Sequence, residues 1–289
     1  MTEQKERINE SAAYLKALSP FSRVNFAVVT YYDSSFIKQF QAVKKINYSD
    51  IPPKFNGTKE NKGEFIFASS KNGEEKFIIL NGHINFYNGN KMRDVALPIY
   101  VLKELGVKNI VIVDEVGHLN PRCEVGEIAL IYDHINLMGD NPLIGENDDS
   151  LGTRFPDMSN PYDEKLYSNL EKYFSEKKVK YNPSVYLGVT GPETETQAEC
   201  RFYGDIGADV LGYSLVPENI AAVHSGINCI AFGMISRELV ADRLAEISEE
   251  DKLKNRIKAE ITFATIIADL VSMPARRLPS SRQAGGSKL

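Results

Sequence analysis

Residues 106–135 read GVKNIVIVDEVGHLNPRCEVGEIALIYDHI, and the fold turns on how this stretch is read. It contains two short apolar runs, Asn109-Ile110-Val111-Ile112-Val113 and Ile128-Ala129-Leu130-Ile131-Tyr132. Both are rich in β-branched residues and too short for a helix. Neither alternates apolar with polar, so each reads as a strand buried on both faces. The first run ends in Asp114-Glu115-Val116-Gly117-His118, which reads as a polar loop. Before it lies a helical stretch, residues 93–105, capped by Gly106.

The same alternation continues outward in both directions. Residues 5–18 form an amphipathic helical pattern, with Ile8, Ala12, Leu15 and Leu18 on one face. Residues 24–29 read as a buried strand. The runs 64–70 and 76–80 read as a hairpin around Lys71-Asn72-Gly73. Toward the C-terminus, helices are expected at 163–177, 195–206, 217–225 and 250–272, and strands at 184–189, 210–212 and 229–233. The segment 138–162 is polar and rich in Pro, Gly, Asn and Asp, a length that marks a functional loop or an interface. Strands alternating with helices predict an α/β fold with a mixed central β-sheet. One domain is expected over residues 1–275, followed by a disordered Gly/Ser-rich tail at 276–289. Ligands in such sheets bind beyond the carboxyl ends of the strands. The candidate site segments are therefore 30–36, 80–89, 114–118, 190–196, 212–215 and 235–238.

Bulk composition narrows the function classes. A net charge of −5 points to neither nucleic acid nor an anionic membrane surface as a partner. No apolar run approaches the ~20 residues of a membrane span. Cys123, Cys200 and Cys229 are odd in number and far apart, which fits reduced intracellular thiols and not a disulfide framework. The four histidines lack the spacing of a metal centre. The tail ends in Ser287-Lys288-Leu289, which matches a peroxisomal address and implies an import receptor as a partner. A chance ending is the alternative. Intracellular residence, peroxisomal or cytoplasmic, is the expectation.

Two long stretches carry a family resemblance. Residues 104–163, from ELGVKNIVIVDEVGH to FPDMSNPYD, resemble the central part of the trimeric purine nucleoside phosphorylases. GPETETQAECRFYGDIGADVLGYSLVPENIAAVHSGI, residues 191–227, is similar to the next block of that family. The resemblance covers roughly residues 8–272. It implies a partly barrel-like mixed sheet flanked by helices, a homotrimer, and reversible phosphorolysis of purine nucleosides. It implies no cofactor, with inorganic phosphate as co-substrate.

Transferred residue by residue, the resemblance assigns Glu195 to the purine base, with Glu199 structural. Tyr87 and Tyr213 fall at the sugar. Phe155 falls where an aromatic reaches into a neighbouring subunit's site, and Ser214 where a serine touches phosphate. Arg237 stands where the family has an asparagine facing the purine five-membered ring. It has two readings: a donor to purine O6 and N7, or an ion pair with Glu195. Asp251 falls loosely where the family has a sugar-binding histidine.

The phosphate end departs from the pattern. The first loop, Thr30-Tyr31-Tyr32-Asp33-Ser34-Ser35, lacks the glycines that let backbone amides wrap an anion. His83 and Asn85 replace an arginine and a histidine, and Glu115 brings a carboxylate where a backbone donor belongs. A largely neutral histidine does not replace the bidentate contact of an arginine. Charge-assisted hydrogen bonds are worth ~1.5–3 kcal/mol each, so these losses, with Asp33 and Glu115 added, weaken phosphate by several kcal/mol. Protonation of His83 and His118 by those acids would recover part of that charge. Three functions stay open. The chain is a working phosphorylase with a rebuilt site, or a non-catalytic binder of a purine or another small ligand. The third is a nucleoside hydrolase using Glu115 or Asp33 as general base.

Overall fold

Each expected strand and helix forms, in the expected order, in the computed structural model, which describes residues 2–53, 55 and 62–272. The expected tail and its Ser287-Lys288-Leu289 ending lie outside the described residues. In chain order the elements are α1 (Glu3–Leu18), β1 (Phe26–Thr30), β2 (Gln41–Asn47), β3 (Glu64–Ser69) and β4 (Lys76–Asn81). Next come α2 (Met92–Glu104), β5 (Asn109–His118), β6 (Ile128–Asn136), α3 (Glu164–Lys177) and β7 (Asn182–Gly188). The chain continues with α4 (Gln197–Asp205), β8 (Val210–Gly212), α5 (Leu215–Ser225), β9 (Asn228–Glu238) and α6 (Glu249–Ser272).

The strands form one mixed sheet in the order β2-β3-β4-β1-β5-β8-β7-β6-β9, and β5 also pairs with β9. That last pairing closes β5, β8, β7, β6 and β9 into a five-stranded ring. The remaining strands extend from β5 as an open sheet. The partly barrel-like α/β architecture is thus present. The β1, β4, β5 and β9 strands run parallel to their neighbours in this group, so their carboxyl ends lie together.

Three differences from the sequence reading have physical causes. Residues 114–118 are not a loop. They continue β5, because β9 pairs along their length and β8 pairs antiparallel with Gly117 and His118. Residues 235–238 likewise continue β9. Strand β2 was not anticipated, because it lies at the sheet edge and buries Ile46 alone of its seven residues. An edge strand with two lysines shows no buried pattern to read.

Helices cover the two faces of the sheet. On one side α1 and α2 pack with α5, and α1 buries Ile8, Ala12 and Leu15 as its periodicity predicts, with Leu18 partly buried. On the other side α3 and α6 pack against an aromatic group. Phe263 of α6 meets Phe36 and Phe232, each with ring centroids 5.0 Å apart. This contact fixes where α6 crosses the carboxyl end of the sheet. Glu199 proves to be a capping residue: it accepts from the Thr196 backbone N–H at 2.8 Å and completes a capping box on α4.

Phe263 has no exposed surface. Phe263→Ala should lower the unfolding free energy by about 3–5 kcal/mol, measurable by urea denaturation.

Candidate active site

All six segments expected at the carboxyl ends converge on one cavity of about 620 Å³. A second cavity of about 530 Å³ adjoins it and shares Thr194, Arg237, Glu249 and Lys252. Among the residues singled out from sequence, His83, Asn85, Tyr87, Glu115, Tyr213, Ser214 and Arg237 line the first cavity. Glu195 lines the second. Asp33 is exposed, with a left-handed φ of 62°, and lines neither. Phe155 is 87% exposed and also lines neither. It borders a separate surface cavity with Leu143, Ile144 and Met158. Asp251 is exposed and bonded to Ser248 on the first turn of α6.

Arg237 stands on the boundary of the two cavities, at the end of β9. Its Nη1 donates to Glu195 Oε2 at 2.9 Å and its Nη2 to Glu195 Oε1 at 3.3 Å. Nη2 also donates to the Tyr213 hydroxyl at 2.7 Å, and that hydroxyl donates to Glu195 Oε1 at 2.7 Å. The ion-pair reading of Arg237 is therefore what the geometry contains. A fork held at both ends has one orientation, so the guanidinium is presented to the cavity in a fixed pose. Tyr87 meets Tyr213 edge to face, with centroids 6.1 Å apart.

His83 is buried and both ring nitrogens are engaged. Nδ1 lies 2.8 Å from Glu218 Oε1 and Nε2 lies 3.0 Å from the Val113 carbonyl. With Glu218 ionised, two acceptors on one ring call for a doubly protonated imidazolium. Burial would lower its pKa. The charge and hydrogen bond of Glu218, then the Asp114 charge and the Val113 carbonyl, outweigh burial and raise it from 6.5 to about 9. The expectation of a largely neutral histidine is thus corrected. The acids that charge it are Glu218 and Asp114, and not Asp33 or Glu115. His118 points elsewhere, with Nδ1 3.0 Å from the Asn120 carbonyl.

Glu115 is paired, because Arg256 Nη1 of α6 donates to its Oε2 at 2.8 Å. One turn along α6, the buried Glu260 accepts from the Ser35 backbone N–H at 2.9 Å, from the Ser35 hydroxyl, and from Tyr31 Oη at 2.5 Å. The guanidinium of Arg256 covers the Tyr31 ring, 4.7 Å from its centroid. Loop 30–35 is therefore fastened to α6 through a carboxylate.

Sequence reasoning missed Asp114, Glu218, Arg256 and Glu260. Each had a signal. Asp114 follows an unbroken apolar run. Glu218 is an acid among the buried residues of α5. Arg256 and Glu260 are four apart, on one face of a helix. Asp114 is buried at the cavity floor, with Oδ1 accepting the Glu115 N–H at 2.9 Å and Oδ2 the Tyr186 hydroxyl at 2.6 Å. Gly212 makes room for it, since a Cβ there would sit 2.6 Å from Asp114 Oδ2. Among the described residues, no group of three or more His, Cys, Asp or Glu is placed to hold a metal ion. No helix among them is long and apolar enough to cross a membrane.

The chain is similar to known proteins in both sequence and fold. A sequence profile described as the phosphorylase superfamily matches residues 35–272. Purine nucleoside phosphorylase 1 of Bacillus subtilis is 36% identical over 256 residues, covering 86% of this chain and 94% of that protein. The Bos taurus purine nucleoside phosphorylase is 35% identical over 213 residues, covering 71% of this chain and 73% of that one. Among solved structures, Schistosoma mansoni purine nucleoside phosphorylase in complex with adenosine superposes with a TM-score of 0.85. Its identity is 27%, over 93% of this chain and 98% of that one. Isoform 2 from the same organism, in complex with cytosine and ribose-1-phosphate, also gives 0.85, at 30% identity, over 93% of this chain and 97% of that one.

The His83–Glu218 pair carries a pH signature. A pKa raised on folding contributes stability that is whole below the unfolded value of 6.5 and lost as pH rises through about 9. Urea unfolding between pH 7 and 10 should show this decline in the native protein, on the order of a few kcal/mol. His83→Asn should be less stable at pH 7 and lack that decline.

Proposed function

The chain belongs to the purine nucleoside phosphorylases of the phosphorylase superfamily, and on that premise we propose that it cleaves the N-glycosidic bond of purine nucleosides. The base occupies the cavity that contains Glu195, the sugar occupies the cavity that contains Tyr87, and the scissile bond lies at Arg237. The fixed guanidinium at the junction carries this reading. A departing purine gathers negative charge, and a preorganised cation lowers the energy of that charge without reorganising. Arginine pairs well with acceptors placed like O6 and N7 of a 6-oxopurine. Glu195 and Tyr213 hold the arginine in position, and the faces of Tyr87 and Tyr213 bound the sugar.

A homotrimer belongs to the same proposal. Phe155, at 87% exposure, and Ile144, at 61%, are large apolar side chains facing solvent in one chain. A neighbouring copy that covered them would bury this patch and bring Phe155 to its own cavity.

Free base should be released from inosine or guanosine in the presence of phosphate. Arg237→Lys keeps the partner charge for Glu195 but loses the fork, and should lower kcat/KM by about 10- to 100-fold. No release by the native protein, together with a rise in Tm on adding a purine, would make it a binding protein instead. Phe155→Ser should reduce activity, and sedimentation equilibrium of the native protein should give the mass of three subunits. A monomer of full activity would overturn the trimer.

A further inference from the structure

Residues 62 and 63, just before β3, are anchored at one end of the first cavity. The Tyr48 N–H donates to the Gly63 carbonyl at 3.0 Å, and the Tyr48 hydroxyl donates to the Gly82 carbonyl at 2.9 Å. Tyr48 is itself buried, so it ties the two segments together from within the core. Glycine at position 82 lets the two backbones approach closely: a Cβ there would lie 2.5 Å from the Lys62 carbonyl oxygen. The Gly82 N–H in turn donates to the Thr30 carbonyl at 2.7 Å. Lys62 is thereby set beside Gly82, His83 and the start of loop 30–35, and it lines the first cavity with His83, Tyr31 and Tyr32.

Charge singles out the same residue. Among the described residues, the cations lining this cavity are Lys62, His83, Arg237 and Lys252, and the carboxylates are Asp114, Glu115 and Glu249. His83 is paired with Glu218 at 2.8 Å, Arg237 with Glu195 at 2.9 Å, and Lys252 with Glu249 at 2.6 Å. Glu115 is answered by Arg256, which lies outside the lining. Lys62 is exposed and has no carboxylate partner among the described residues. A cation already held by a carboxylate offers an entering anion little net attraction. An unpaired ammonium on a flexible stem presents three donors that can turn toward one.

Resting on the cleavage proposed above, with inorganic phosphate as its co-substrate, we infer that Lys62 is the residue that holds the phosphate charge in this site. Position 83, where the resemblance expects an arginine, commits its charge to Glu218 within the scaffold. Position 62, on a separate segment at the same end of the cavity, supplies a cation in its place. The contact is a charge-assisted hydrogen bond from the ammonium to a phosphate oxygen, the stronger kind of hydrogen bond. Glu195, Arg237 and Tyr213 are bonded to one another without Lys62, so its loss weakens phosphate and leaves the base contacts in place. An exposed ammonium is also screened by salt, and phosphate held through it is released as ionic strength rises.

The test measures base release from inosine over a range of phosphate concentrations, in the native chain and in Lys62→Ala, Lys62→Arg and Lys252→Ala. Lys62→Ala should raise KM for phosphate about tenfold or more, with KM for inosine at saturating phosphate within about twofold of native. Lys62→Arg keeps the charge and should stay within about threefold of native. Raising NaCl from about 50 to 300 mM should raise the native KM for phosphate more than that of Lys62→Ala. A phosphate KM within about twofold of native in Lys62→Ala, or a larger effect from Lys252→Ala, overturns the inference and leaves the proposed cleavage standing. If the native chain releases no base, the cleavage falls, and calorimetric titration with inorganic phosphate decides the inference by itself. Native binding that Lys62→Ala weakens about tenfold sustains it; equal binding in both, or none in the native chain, overturns it. Should Lys62→Ala fail to fold, Lys62→Gln takes its place in both measurements.

Discussion

The pairing of β5 with β9 is the constraint on which the site depends. It closes the five-stranded ring and sets two functional strand ends side by side, with Asp114 opposite Gly233 and Gly117 opposite Arg237. Without it, Asp114 and Glu115 would end one strand and Ser236 and Arg237 another, with no fixed relation. The pairing is tight because small residues let the strands approach. A Cβ on Gly233 would lie 2.7 Å from Val116 Cγ2. The cavity thus inherits its geometry from backbone hydrogen bonds and packing, which are stiffer than loops.

Around this ring the buried charges occur in compensated sets. Arg237 answers Glu195, His83 answers Glu218, and Arg256 spans Glu115 and Glu260. Removing one partner of a buried pair typically costs about 3–5 kcal/mol, because the other charge is left without compensation. Each set joins segments distant in sequence, the His83–Glu218 pair spanning 135 positions. The sets therefore act as long-range staples between the sheet, α5 and α6. Their second consequence is chemical: cations that could serve a ligand are largely committed to the protein. Arg237 lies on the boundary between two cavities, while His83 and Arg256 are drawn into the scaffold.

Much of this architecture is legible in the chain. Apolar runs such as Ile110–Val113 and Ile128–Ile131 mark buried strands, since few other structures bury both faces of so short a segment. Glycine and polar residues after β4 and β7 mark loops that reach the cavity. The reading fails where a residue's state depends on partners far away in sequence. His83 reads as neutral by its ordinary pKa, but Glu218 and Asp114 charge it. Residues 114–118 read as a loop by polarity, but β8 and β9 hold them as strand. The polar β2 is hidden because an edge strand needs little apolar surface.

The sequence by itself determined the α/β class, the order of elements, the six segments that could form a site, and the family resemblance. These follow from local periodicity, turn chemistry and residue identity, which need no knowledge of distant contacts. Only the tertiary structure decided which candidate residues share the cavity, that Arg237 is locked to Glu195, and that Asp33 lies apart from the cavity. It alone brought Asp114 to the cavity floor and Glu260 against loop 30–35. The physical reason is that protonation, hydrogen-bond occupancy and exposure are properties of a surrounding set of atoms. That set exists only once β5 and β9 have closed the ring and α6 has crossed over it.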